Sequence, residues 1–292
     1  MALDKLGDNT YILRGSPSTL IYDDGDLVYI VDPGHGRKRA KQLSKHVDSF
    51  SKPHVILITH YHSDHYSLLS LGRLKGRIAA SDIDEPAIRN ARIRIALTFG
   101  LPLMADDPLL LYEASEVEVD VTVKPGSRLG PLKLIPLPGH TLGQIGVLSP
   151  DGILYAADSL FGDKVLGNYG VPYHLDPCMA LESLKSLYKL VDSISALVPS
   201  HGPLASGDNM YRLIELNIER LEDAWRLISE LLSEPLSISQ LAGRLASNYN
   251  VDLSPPILLL LETAIRGYLA CMRDQVEVVV EGAMLKWRLQ RR

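Results

Sequence analysis

The sequence predicts an α+β fold: a four-layer αββα sandwich, with two sheets packed face to face and helices outside, followed by a small helical module. Three observations lead there. Up to about Pro203 the 292-residue chain reads as two successive halves, each a set of short strands accompanied by a helix. The strands are bounded by Gly, Pro, Asp and Ser turn chemistry. After about Asp208 the pattern changes to apolar stripes at helical spacing, closed by two β-like runs. A sheet face and a helix stripe are each apolar on one side only, and layering is how such elements bury that side.

In the first half, residues 11–14, 18–22 and 27–31 are rich in Ile, Val, Leu and Tyr and are separated by Gly-Ser-Pro and Asp-Asp-Gly-Asp turns. The third run ends in Asp32-Pro33-Gly34. A polar, basic helix is expected over 37–47, then a buried strand over 55–58 that runs straight into His60, then a helix starting near Asp64 that carries Leu68, Leu69, Leu71 and Leu74. The second half repeats the plan. Strands over 117–123, 132–136, 145–148 and 153–156 surround a glycine-marked loop, Pro138-Gly139-His140-Thr141. A helix over 178–192 leads to a strand over 196–199, which ends at Ser200-His201-Gly202-Pro203.

The C-terminal part opens with the stripe Leu221, Ala224, Trp225, Ile228, Leu231 and Leu232. Ser237 to Gln240 form a capping box that starts a second helix, and Ser254-Pro255 starts a third that runs to Met272. Runs 276–280 and 283–289 flank Glu281-Gly282 and read as a hairpin. Three helices and a hairpin are the order of a winged-helix module, so the chain divides into 1–216 and a winged-helix-like 217–292. From Glu219 to Arg292 there are 9 basic and 10 acidic residues. The third helix carries only Arg266 and Arg273, too little for a phosphate footprint, although Lys286, Arg288, Arg291 and Arg292 make a small basic end. Nucleic acid is therefore not the favoured partner, and the module is better suited to shaping a pocket mouth or joining a homodimer.

Composition narrows the class further. A hydrophobic share of 46% supports a packed core, and a net charge of −5 gives no general attraction to nucleic acid or anionic lipid. The most apolar stretch, 257–261, is soon interrupted by Glu262 and Arg266, far short of the roughly 20 apolar residues that span a bilayer. Cys178 and Cys271 stand far apart and give neither a disulfide framework nor a zinc knuckle, so a reducing compartment is expected. With a polar start at residues 1–9, the expectation is a cytoplasmic protein with no membrane partner.

Five of the nine histidines, His60, His62, His65, His140 and His201, lie at the C-terminal ends of expected strands or in the loops after them. Side chains two apart in an extended segment project the same way, so His60 and His62 can hold one ion. As the chain turns after them, Asp64 and His65 are carried toward a neighbouring position. Imidazole and carboxylate ligands without thiolate suit zinc, with iron or manganese as alternatives. A dinuclear site also needs a bridging oxygen, and Asp158, just after a strand, is placed for it. His35, His46 and His54 read as solvated. Lys164, Asn168, Tyr169, Tyr173 and His174 follow Asp158 closely and are candidates to line a substrate pocket, whereas Tyr61 and Ser63 lie inside the motif without an assigned role.

The ordered set His60-x-His62-x-Asp64-His65, Gly139-His140-Thr141, Asp158 and His201-Gly202, with Asp32 upstream, resembles the metallo-β-lactamase superfamily over roughly residues 10–203. The resemblance implies that His60, His62 and His140 hold the first metal. It implies that Asp64, His65 and His201 hold the second, with Asp158 bridging and Asp32 supporting the ligand loop through hydrogen bonds. Two divalent ions, zinc first, would then generate a bridging hydroxide that attacks a carbonyl carbon or a phosphorus, with Asp64 as the catalytic residue that relays the proton while remaining a ligand.

Substrate is less legible, because this superfamily hosts many reactions. Diiron oxygen reductases resemble HxExDH with an added flavodoxin domain, and this chain has His62 and no such domain. The 42 residues between Asp158 and His201 leave no room for the large insert of RNA- and DNA-processing members. Glyoxalase II enzymes carry their last histidine in a Cys-Gly-His-Glu context, unlike Ser200-His201-Gly202-Pro203. The chain is most similar to a subgroup with a His-Gly-Pro motif and a C-terminal winged helix, in which ribonucleases occur. A hydrolase of a small ester or thioester is the first expectation and an endoribonuclease the enzymatic alternative. A metal-loaded regulatory protein acting through its tail is the reading from a different class.

Overall fold

The structure is a computed structural model and describes residues 3–100 and 116–290. One sheet holds seven strands in sequence order: β1 (Leu3–Lys5), β2 (Thr10–Leu13), β3 (Thr19–Asp23), β4 (Val28–Val31), β5 (His54–Ile58), β6 (Arg77–Ser81) and β7 (Val121–Val123). The first four pair antiparallel and the rest continue parallel from β4. The second sheet runs in the order β12 (Ala196–Pro199), β11 (Ile153–Ala157), β10 (Ile145–Leu148), β9 (Leu132–Pro136) and β8 (Arg128–Leu129), with only β11 and β12 parallel.

Strand alternation explains the layers. Leu20, Val31 and Leu57 point inward and meet Leu134, Val147, Tyr155 and Val198 of the facing sheet. Their neighbours Ile21, Ile30 and Ile56 point outward onto α1 (Arg37–Asp48), whose Ala40, Leu43 and Val47 recur at helical spacing. On the other outer face α5 (Pro177–Leu190) buries Ala180, Leu184 and Leu187 in a cluster that continues into the C-terminal helices. The expected αββα order is what the chain forms.

Beyond the sandwich lie α6 (Asp208–Leu231), α7 (Ile238–Tyr249), α8 (Pro255–Cys271) and a hairpin of β13 (Val276–Glu281) with β14 (Met284–Leu289). The Ser237–Gln240 capping box is present in both directions. Helix α6 runs without a break through position 217. Lys286 and Arg288 of the basic end are paired with Glu281 and Glu277, while Arg291 and Arg292 lie outside the described residues.

Some expectations need correction. The segment after Asp64 is not an α-helix but two 3-10 turns, Ser63–His65 and Ser67–Leu71. Its backbone groups are used elsewhere: Gly34 donates to the His65 carbonyl and Leu68 donates to the Gly34 carbonyl, which ties the segment to the loop after β4. The strand expected over 117–123 is reduced to β7, because Val117 and Val119 pack beside Ile88 of α2 (Glu85–Arg89) instead. β6 had no strand signal, since Arg-Ile-Ala-Ala-Ser is alanine-rich and short. The cysteines are also joined: folding brings Cys178 and Cys271, 93 residues apart, into a disulfide between α5 and α8, which removes the cysteine argument for a reducing compartment. No helix among the described residues is long and apolar enough to cross a membrane.

Candidate metal centre

Two parallel strand pairs bring the ligand loops together. Strands β4 and β5 end side by side in Asp32 and Thr59-His60, and β11 and β12 end side by side in Asp158 and Ser200-His201. Parallel strands send their C-terminal ends to one edge of the sheet, which is where a shared site can be built. The β9–β10 connection adds His140, and the Thr59 carbonyl accepts from the Ile145 N–H, stitching the two sheets at that edge. Gly139, at φ +135°, lets this loop pass α5: a Cβ there would lie 2.4 Å from the Ala180 nitrogen.

The predicted residues form two donor groups. His60, His62 and His140 make the first and Asp64, His65 and His201 the second, each with ligand atoms within 4.8 Å of one another. Asp158 lies between them: Oδ2 is 3.4 Å from His140 Nε2 and 3.6 Å from His201 Nε2, and Oδ1 is 3.4 Å from His65 Nε2. Asp32 also falls near His60 and His65, yet its oxygens are taken up by the Thr59 N–H, the Thr59 hydroxyl, the Tyr155 hydroxyl and His65 Nδ1. Asp32 therefore supports the ligands.

The neighbours orient each imidazole. His140 Nδ1 donates to the Tyr173 carbonyl at 2.8 Å, which leaves Nε2 facing the site. The Thr59 hydroxyl gives its proton to Asp32 and so accepts from His60 Nδ1 at 3.1 Å. His60 Nε2 is then a buried nitrogen with no hydrogen-bond partner. His62 Nδ1 approaches His140 Nε2 to 2.8 Å, and Ser16 Oγ lies 2.6 Å from His201 Nδ1. A buried, unpartnered imidazole nitrogen beside two others is what a borderline metal ion needs, and the donor set fits divalent ions.

Electrostatics split the groups. Burial, reinforced by the neighbouring imidazoles, holds His60 and His62 well below the usual histidine value, and burial lowers His140 too. At His65 and His201 burial also pulls downward, but Asp158 and Asp64 outweigh it and raise both, His65 strongly. Burial pushes Asp158 and Asp64 upward, while His65 and His201 outweigh it and hold both carboxylates below their ordinary range. The first group is thus three neutral bases, and the second is a charged array.

A cavity of about 670 Å³ opens over Asp64, His62, His140, Asp158 and His201. Of the pocket candidates, Asn168, Tyr169 and Tyr173 line it; Lys164 and the buried His174 do not. His35 lines its rim, whereas His46 and His54 do not reach it. Sequence reading missed Asp84. This buried carboxylate accepts from the Tyr61 N–H, the Thr141 hydroxyl and the Gly143 N–H, so it joins the two ligand loops from below, and burial pushes it up to about 6.

Known proteins share this architecture. A metallo-beta-lactamase family protein from Thermus thermophilus superposes with a TM-score of 0.70 at 20% identity, covering 97% of this chain and 99% of its own. A beta-lactamase domain protein from Burkholderia ambifaria gives 0.71 at 16% identity, covering 99% and 93%. A metallo-beta-lactamase from Pontibacter korlensis gives 0.54 at 19% identity, covering 76% of this chain and 99% of its own. No curated protein matches the sequence significantly. The sequence model of the metallo-beta-lactamase superfamily matches residues 11–201, the stretch that carries both donor groups, and the chain belongs to that superfamily.

Proposed function

We propose that the chain is a hydrolase that works with two divalent metal ions, zinc first, and cleaves an ester or thioester. The observation that carries this reading is the position of Asp158, whose two oxygens face both donor groups at once. His60, His62 and His140 would hold one ion and Asp64, His65 and His201 the other. When bound, such ions supply Lewis acidity and make water nucleophilic near neutral pH.

The chain's own residues supply the rest. Asp64 sits at the cavity floor, its side chain 43% exposed to the cavity, and its Oδ2 is 3.2 Å from His201 Nε2. Its depressed pKa keeps the carboxylate ionised, so it can hold an ion and relay a proton on the substrate side without retaining it. Tyr173 stacks edge-on against His62 and His140, with ring centroids 5.5 and 5.4 Å away, and shields the first group from bulk water.

Asp64→Asn tests this assignment. A residue that only helps retain metal would lose activity in step with metal content, whereas a proton acceptor loses turnover in protein that still carries its metal. The expected result is a drop in kcat of about 100-fold or more per metal-loaded chain, the size usual for a general base. Metal-loaded wild-type protein that is inert toward esters and thioesters but cuts RNA would overturn the substrate class.

A further inference from the structure

The cavity has two unlike ends. Its floor is the array of His and Asp side chains, and its walls include Phe99 of α3 (Ala91–Phe99), Phe161, Leu166 of α4 (Asp163–Tyr169), and Ile257 and Leu260 of α8. Among the described residues no Lys or Arg lines it. Lys164 is next to a lining residue yet does not itself line the cavity, and Arg220 donates to the Gly170 carbonyl. A polynucleotide carries a charge at every linkage and is tracked by Lys and Arg, so such a cavity is ill-suited to it.

The C-terminal helices build the apolar end. Asn217 of α6 is buried and grips Phe161 at both backbone groups: its Oδ1 accepts from the Phe161 N–H at 2.8 Å and its Nδ2 donates to the Phe161 carbonyl at 2.9 Å. Phe161 in turn packs 5.8 Å from the His140 ring, so the hydrophobic wall begins at the first donor group itself. Ile257 and Leu260 lie in the first turns of α8 and are only partly buried, which leaves apolar surface facing the cavity. A cavity with an ionisable floor and largely apolar walls, interrupted here by Thr98, Asn168 and Ser254, orients a substrate by its reacting group and selects it by its tail.

Resting on the hydrolase reading above, we propose that this cavity takes an uncharged, elongated acyl group: the substrate is an ester or thioester of a medium-chain apolar acid, with its carbonyl at the metal end and its chain between Phe161 and α8. Ile257 and Leu260 act as specificity-determining residues.

The test is a series of 4-nitrophenyl esters from acetyl to decanoyl, kept below their solubility limits, with zinc-loaded full-length protein. Each buried methylene is worth about threefold in kcat/KM, so the six methylenes between acetyl and octanoyl should give a rise of about 700-fold if all are buried. A profile that is flat or falls with length, in protein that does hydrolyse the short esters, overturns this inference and leaves the hydrolase reading standing. No hydrolysis at any length overturns that reading and this one together. In Leu260→Lys, which places a cation in the apolar wall, the octanoyl-to-acetyl ratio should fall at least about tenfold, since a charge gains little from an alkyl neighbour and loses its water. An unchanged ratio removes α8 from the site. Ile257→Ser supplies the same comparison if the lysine variant does not fold.

Discussion

An imidazole can bind a metal only through a nitrogen that holds no proton, so the partner of its other nitrogen matters as much as the ligand itself. Here the chain His60 Nδ1, Thr59 hydroxyl, Asp32 carboxylate settles one histidine, and the Tyr173 carbonyl settles His140. The two donor groups also differ in proton content, because burial prevails at the first and the carboxylates of Asp158 and Asp64 prevail at the second. His60, His62 and His140 are depressed and already neutral at pH 7, whereas raised His65 and His201 keep protons that an incoming ion must displace. Affinity of the second group should therefore rise as pH increases, while the first is nearly indifferent around neutrality. Isothermal titration in two buffers of different ionisation heat should show more proton release for the ion of the second group than for that of the first; equal release for both would contradict this split. Asp84 gives a second prediction. Asp84→Ala leaves three buried donors without an acceptor, which should cost about 3 kcal/mol or more and weaken metal binding at least about 10-fold. Urea unfolding and a zinc competition assay would check both; an unchanged pair of values would remove Asp84 from the account. The two donor groups were legible because their residues crowd into 60–65 or follow strands. Asp84 was not, because its partners Tyr61 and Gly143 lie 23 and 59 residues away along the chain and no local pattern marks such a contact.

At the scale of elements, strands with strong β-formers and clear turns were readable almost to the residue: 132–136, 145–148 and 196–199 agree with β9, β10 and β12. The failures share a cause, which is tertiary hydrogen bonding or packing overriding local preference. The stretch after Asp64 has helical spacing but gives its backbone to the Asp32 loop, and that exchange holds His65 against Asp32. The disulfide was equally invisible, since a separation of 93 residues says nothing about distance in space. It joins the start of α5 to the end of α8, the helix whose other end lines the cavity. Closing so long a loop restricts the unfolded chain, so reduction or Cys178→Ser should lower stability by about 2–4 kcal/mol. Thermal unfolding with and without reductant measures it. Two free thiols in the native, unreduced protein would contradict the link.

For the molecule as a whole, the αββα sandwich supplies one rigid edge where five loops meet, and the C-terminal helices complete the cavity above it. That division explains what could be read beforehand. The donor groups depend on residue types at fixed spacing along a few strands and loops, and they were visible. The cavity's character depends on Asn217 gripping Phe161 and on α8 returning across the site, contacts made only after folding. If one edge of the sandwich holds two metal ions, anomalous diffraction at the zinc edge from crystals of zinc-loaded protein will locate both. Two peaks per chain are expected, one among His60, His62 and His140 and one among Asp64, His65 and His201, with Asp158 between them. A single peak, or peaks away from these residues, would contradict the two-metal reading.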